Sequence, residues 1–242
     1  MTLNFLSFLN FLNFLNFKLK NMASLLEIEL AKLKTVIVKI GVLSENQIVE
    51  AMKSLLSDPN ATTKKLKKTE NKIDKLDVKI DEICQNIFAL QQPVASDLRF
   101  IISAMQISSE IERIGDLAIS VIKNSKNVKE KYDLIIKFDI ASIAKNIELI
   151  TKKTNECFDK QQEKTIGEIF LLNKNIRVET QQVIENIISE MKTNSKAVGS
   201  GTNLILALKH LERIGEHCTN IAESIYFVIN AKTIKHEKTK IE

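Results

Sequence analysis

LKKTENKIDKLDVKIDEICQNIFAL, residues 66–90, sets the fold class. Its apolar positions Leu66, Ile73, Leu76, Ile80, Ile83, Ile87 and Leu90 lie seven, three, four, three, four and three residues apart. That spacing keeps one stripe of an α-helix apolar and is the seam of a helical bundle or coiled coil. Leu204, Leu208, Leu211, Gly215, Cys218, Ala222, Ile225 and Ile229 form a similar seam near the C-terminus. Breakers are scarce, with 6 Gly and 2 Pro in 242 residues, which is too few for the tight turns of a sandwich, a barrel or a doubly wound sheet. Three places divide the chain: a turn at Asp58-Pro59-Asn60, Pro93 in the first turn of a new helix, and a flexible break at Gly199-Ser200-Gly201 with Thr202 as an N-cap. The reading predicts six long helices, at about 24–57, 60–91, 94–126, 132–158, 162–193 and 202–230.

Glu112-Arg113-Ile114-Gly115-Asp116 returns 100 residues later as Glu212-Arg213-Ile214-Gly215-Glu216. Only four Arg occur in the chain (Arg99, Arg113, Arg177, Arg213), and two of them fall in these copies. Each copy sits in the third helix of a three-helix set. The predicted architecture is therefore all-α, a tandem repeat of two three-helix bundles made of six long antiparallel helices. Residues 22–128 form the first repeat and 129–232 the second, and a charged tail follows at 233–242. Residues 1–21, with Phe5, Phe8, Phe11, Phe14 and Phe17 every third position, read as a low-complexity extension, because a period of three drifts around a helix, with a membrane-surface or partner-binding segment as the alternative.

Composition narrows the functional classes. Apolar residues make up 44% and charged residues 27%, as in an ordinary globular protein. The net charge of +5 is spread as lysine among 30 acids rather than gathered in a stripe, and Trp is absent, so a nucleic-acid partner is not expected. No run of 18 apolar residues exists, which leaves the chain peripheral to a membrane at most. Cys84, Cys157 and Cys218 are few and far apart, as buried thiols of a reducing compartment would be. There is no Gly-rich phosphate loop, nucleophile elbow or Glu-x-x-His pair, so an enzyme has little to stand on.

Carboxylates carry the remaining signal. Glu112 and Asp116 are four apart and share a helical face. In the preceding helix Glu70, Asp74, Asp77 and Asp81 step by four, three and four along a ridge beside the apolar seam. Glu70, Asp74, Asp77, Glu112 and Asp116 are thus expected to converge between two antiparallel helices. Crowded anions bind protons or recruit cations, and oxygen-only ligands suit hard ions such as magnesium, manganese or calcium, with iron also possible. The second half offers Glu212, Glu216 and Glu223, but Asn173 and Arg177 stand where Glu70 and Asp74 stood. The first site is therefore expected to bind metal better than the second. Spacing alone leaves a solvated acidic face open as the alternative, and likewise leaves Gly115 and Gly215 as packing residues with Arg113 and Arg213 as surface ion-pair partners. His210 and His217, seven apart, share a face, yet lack a second ligand pair for zinc.

Gln92-Pro93-Val94-Ala95-Ser96-Asp97-Leu98-Arg99 with Ile111-Glu112-Arg113-Ile114-Gly115-Asp116 resembles the first repeat of the PhoU family. Leu211-Glu212-Arg213-Ile214-Gly215-Glu216-His217-Cys218-Thr219-Asn220-Ile221-Ala222-Glu223 resembles its second-repeat signature. The resemblance spans roughly Leu25 to Asn230. It implies a cytoplasmic, commonly homodimeric, non-enzymatic regulator that restrains phosphate uptake and phosphate-starvation signalling. The implied partners are the ATPase of the phosphate ABC transporter and the phosphate-sensing histidine kinase. It also implies divalent or trivalent metal ions (iron, zinc, manganese or magnesium) held by acid-x-x-x-acid pairs, which here match Glu70 to Asp74, Glu112 to Asp116 and Glu212 to Glu216. The competing functions are a divalent-metal-dependent helical enzyme and a metal-storage scaffold.

Overall fold

The computed structural model describes residues 5–56, 63–128 and 131–234, with side chains from Leu25 onward except at 63–65 and 131–133. Among these residues the chain forms α1 (Phe5–Leu56), α2 (Thr63–Gln91), α3 (Ala95–Ser125), a short α4 (Lys131–Lys137), α5 (Ile140–Lys160), α6 (Glu163–Thr193) and α7 (Val198–Asn230), and no strand. The fold is all-α, as the seams require. Of the first seam, Leu66, Ile73, Ile80, Ile83 and Ile87 are buried, Leu76 is half-buried, and Leu90 at the helix end is exposed. The second seam is buried from Leu204 to Ile225.

The element boundaries depart from expectation in four places. Helix four is split: the chain turns at Phe138-Asp139, with Asp139 at φ 48, which separates α4 from α5. The turn buries Ile135 and Phe138 on one side of the break and Ile140, Ile143 and Ile147 on the other. Pro93 is not inside α3 but in the linker before it, between Gln92 and Ala95, both at positive φ. Gly199-Ser200-Gly201 is not a break: it lies in the first turn of α7, which starts at Val198. Gly201 is needed there for close packing, since a methyl on it would sit 2.6 Å from Met191 Sδ of α6. Thr202 is accordingly no N-cap; its hydroxyl donates back to the Val198 carbonyl at 2.8 Å. The Phe-rich stretch continues the backbone of α1 from Phe5, while the turn at Asp58-Pro59-Asn60 and tail residues 235–242 lie outside the described residues.

Helices α1, α2 and α3 pack on one another, as do α5, α6 and α7. The two sets meet broadly along α3 and α7, the two motif helices, and again along α1 and α5. The burial pattern of residues 111–121 recurs position for position at 211–221, so the duplication seen in sequence is also one of environment. One continuous apolar core, rich in isoleucine, runs through both sets.

Polar bonds fix how the sets meet. Glu110 of α3 binds His217 Nδ1 of α7 at 2.6 Å and accepts from Asn220 Nδ2 at 3.0 Å. Ser224 Oγ donates to Gln106 Oε1 at 3.4 Å, so partners ascend α3 as they descend α7 and the helices run antiparallel. Burial alone would raise the Glu110 pKa, but the hydrogen bonds from His217 and Asn220 outweigh it and hold the carboxyl below its usual range. Between α1 and α5, Asn155 Nδ2 donates to the Gly41 carbonyl at 3.0 Å and to Glu45 Oε2 at 2.9 Å.

The motif glycines are packing residues, approached by side chains rather than by another backbone. A methyl on Gly115 would lie 3.2 Å from Gln47 Oε1 and 3.5 Å from Ile73 Cδ1. On Gly215 it would lie 2.5 Å from Asn173 Oδ1 and 3.9 Å from Ile176 Cδ1. Gln47 Nε2 also donates to the Gly115 carbonyl at 3.3 Å.

Two expected outcomes follow from this packing. Gly215→Ala should lower the denaturation midpoint despite a helix-propensity gain of about 1 kcal/mol, because the buried Asn173 amide must move. Adding Asn173→Ala should recover part of that loss; a Gly215→Ala protein more stable than wild type contradicts the packing assignment. His217→Leu should cost about 2 kcal/mol, the scale of a hydrogen bond to a charged group that is then left half-buried. A double-mutant cycle with Glu110→Gln should give a coupling above about 0.5 kcal/mol; strict additivity in chemical denaturation would show the two side chains act independently.

Candidate functional site

The acidic residues of the first repeat do gather between α2 and α3. Glu70, Asp77 and Glu112 are half-buried, while Asp74 and Asp116 lie exposed at the groove mouth. Their helices place them there for one reason. Ile73 of α2 packs on Gly115 of α3 at the seam, so residues flanking each of these contacts project along the same edge. Burial raises the Glu70 pKa first, and the charges of Asp116 and Asp74 raise it further. Asp74 is raised by burial, then by Asp116, with Asp77 adding to it. Glu112 is raised by burial, then by Asp116, Asp77 and Asp74. Asp81, next along the ridge, is raised by burial and then Asp77. These five side chains, Glu70, Asp74, Asp77, Glu112 and Asp116, therefore share one electrostatic field, and nearby Lys123, Lys67 and Arg113 offset it only in part. Asp77 is further anchored by the Ser108 hydroxyl of α3, which donates at 2.6 Å.

In charge and donor chemistry the groove fits a hard cation: oxygen ligands only, with excess negative charge. In geometry it is open. Among the described residues no three His, Cys, Asp or Glu side chains are gathered tightly enough to hold a single ion. Closing round an ion would take rotamer changes at the exposed Asp74 and Asp116.

The second repeat is arranged differently. Glu212 lies 3.6 Å from Arg177 Nε of α6 and 2.6 Å from Lys209 Nζ of its own helix. Glu216 is exposed, and Glu223 is buried lower on α7. Asn173 is buried, with Oδ1 turned to Gly215 and without a hydrogen bond. These residues do not fit a metal: the carboxylate in the groove is already matched by cations.

Arg113 is exposed and lies 3.7 Å from Glu110. Arg213 is exposed, and its charge acts with burial, the larger cause, to hold His210 below the usual histidine range. Arg99 is half-buried, with Nε lacking a hydrogen bond. His217 binds Glu110, and His210 Nδ1 is buried without a hydrogen-bond partner, so the pair makes no zinc site. Burial pushes the Cys84 thiol up to about 12 and those of Cys157 and Cys218 up to about 11, which keeps all three unreactive. Glu110 was not singled out by spacing. The signal lay in the duplication: Glu110 aligns with His210 and Leu117 with His217, so a helix otherwise copied in burial exchanges charge and apolarity at two positions.

Comparison with known proteins agrees with this architecture. The model of the PhoU domain matches residues 37–125 and 140–225, one copy on each bundle. The chain is 23% identical over 217 residues to a phosphate-specific transport system accessory protein PhoU of Serratia marcescens, covering 90% of this chain and 89% of that protein. It is 26% identical over 209 residues to the PhoU homologue of Pseudomonas aeruginosa, covering 86% of each. The crystal structure of PhoU from Pseudomonas aeruginosa superimposes with a TM-score of 0.77 at 25% identity, over 85% of this chain and 99% of that one. A phosphate transport system regulatory protein PhoU from Streptococcus pneumoniae shares the fold at the same TM-score and 23% identity, over 86% of this chain and 98% of that one. With one domain match on each of its two helical sets, and the paired motif glycines at the heart of each, the chain belongs to the PhoU family.

Proposed function

We propose that this chain is a non-enzymatic, metal-binding regulator of phosphate homeostasis that restrains uptake through the phosphate ABC transporter and phosphate-starvation signalling. The observation that carries the reading is the shared field of Glu70, Asp74, Asp77, Glu112 and Asp116, set in a PhoU-family frame. The relatives' names support the coarser part, since they are accessory proteins of a phosphate-specific transport system. Among the described residues no helix is long and apolar enough to cross a membrane.

The chain's own residues would do three things. Glu70, Asp74 and Asp77 on α2 and Glu112 and Asp116 on α3 would hold the cation. Ser108 positions Asp77, and the Ile73–Gly115 contact keeps the two helices in register. When bound, a hard cation would supply neutralisation of the groove and a fixed pose for α2 against α3. The exposed edges of these helices would then present a defined surface to the transporter ATPase or the sensor kinase, with the chain acting as a homodimer in the cytoplasm.

Deleting the gene should raise intracellular phosphate and derepress phosphate-starvation genes, and the wild-type chain should restore both. Complementation with Asp74→Asn, Asp116→Asn at equal protein level should restore them only in part. Deletion without effect on phosphate accumulation or on those genes contradicts the regulatory reading. Full complementation by the double variant contradicts the role given to the carboxylates.

A further inference from the structure

The two repeats handle the same charge problem in different ways. Their register is set by the motif glycines: Ile73 of α2 lies against Gly115, and Ile176 of α6 lies against Gly215. Stepping from this pair of isoleucines aligns the two grooves without recourse to sequence similarity. Three residues back stand Glu70 and Asn173; one forward, Asp74 and Arg177; four forward, Asp77 and Thr180. Every acid that α2 brings to its groove is thus replaced on α6 by a neutral or cationic group. The motif acids remain, as Glu112 and Asp116 in one copy and Glu212 and Glu216 in the other. The first groove has five carboxylates; the second has Glu212, held by Arg177 and Lys209, with Glu216 exposed beside it.

The contacts show the replacement is engaged. Arg177 Nε reaches across from α6 to Glu212 Oε1 at 3.6 Å, and Lys209 Nζ takes Glu212 Oε2 at 2.6 Å. Asn173 Oδ1 and Thr180 Oγ1 are buried without hydrogen-bond partners, and Asn173 Oδ1 lies against Gly215. A guanidinium stays protonated across the physiological range and cannot be removed by a chelator.

We propose that Arg177, assisted by Lys209, is the built-in cation of the second repeat, so that this chain takes exchangeable metal in its first repeat alone. The inference rests on the metal reading of the first groove. It also makes the chain asymmetric: exchange of metal alters the charge of the α2–α3 face, while the Arg177–Glu212 contact of the α6–α7 face is untouched by chelation.

Manganese is a suitable probe, measured by calorimetric titration of the chelator-stripped full chain and by elemental analysis after dialysis. Wild type should bind, Asp74→Asn, Asp116→Asn should lose that binding, and Glu212→Gln, Glu216→Gln should retain it in full. Restoring the acids with Asn173→Glu, Arg177→Asp, Thr180→Asp should raise bound manganese by about one ion per chain, since a carboxylate groove is then rebuilt. Because buried Thr180 makes that variant prone to misfolding, Arg177→Asp alone, at a side chain 59% exposed, serves as the second variant. It should gain weaker manganese binding that adding Glu212→Gln removes. Loss of wild-type binding in Glu212→Gln, Glu216→Gln overturns the proposal, as does absence of any gain in both rebuilt variants. If wild type binds no manganese but a rebuilt variant does, the metal reading of the first groove fails while the role of Arg177 stands.

Discussion

The antiparallel contact between α3 and α7 is the constraint on which the rest of the structure depends. Both helices carry the motif glycine on one side and the repeat-to-repeat contact on another, so neither can shift without disturbing two interfaces at once. Inside each repeat the glycine lets an isoleucine from the neighbouring helix seat at the seam, and this sets the register that brings acids from separate helices to one edge. Between the repeats, Glu110, His217 and Asn220 supply direction, which an apolar interface alone does not have. Removing His217 or Asn220 would leave the half-buried Glu110 carboxylate short of a hydrogen-bond donor, which carries a desolvation cost.

Duplication also explains where function can diverge. Around the motif, residues 111–121 of α3 and 211–221 of α7 are under the same packing demand and share one burial pattern. Among the groove-lining positions, Asp74 of α2 and Arg177 of α6 are exposed and answer chiefly to the charge opposite them, whereas Asn173 and Thr180 of α6 are buried in the packing. The first repeat has acids there, whose crowding adds to burial in raising the pKa of Glu70, Asp74 and Glu112, and the second has an arginine. The packing of the motif helices is thus held in common while the charge of the two grooves differs.

Much of this was legible in the sequence, because it is carried by periodicity. The seams at Leu66 to Ile87 and Leu204 to Ile225, the repeated motif, and the placing of Arg177 where Asp74 stands in the first repeat all follow from helical spacing and two offsets, 100 residues for the motif helices and 103 for the helices that face them. Helix ends were less legible, for physical reasons. The break at Phe138-Asp139 uses a left-handed Asp rather than Gly or Pro, and local sequence gives no warning of it. Gly199 and Gly201 look like a break but sit in a helix, where the missing side chain of Gly201 makes room for Met191. The Glu110–His217 pair joins residues 107 apart, and only the mismatch between copies pointed to it. Spacing placed the acids on one edge, but it carried no information on how closely their oxygens approach a common point.

The most direct measurement of the central claim is anomalous diffraction at the manganese edge from crystals of the full chain grown with that ion. The account predicts an anomalous peak between α2 and α3, within ligating distance of oxygens from both Glu70 or Asp74 and Glu112 or Asp116, and none beside Glu212. A map with no peak in that groove, or with equal peaks in both, would contradict it.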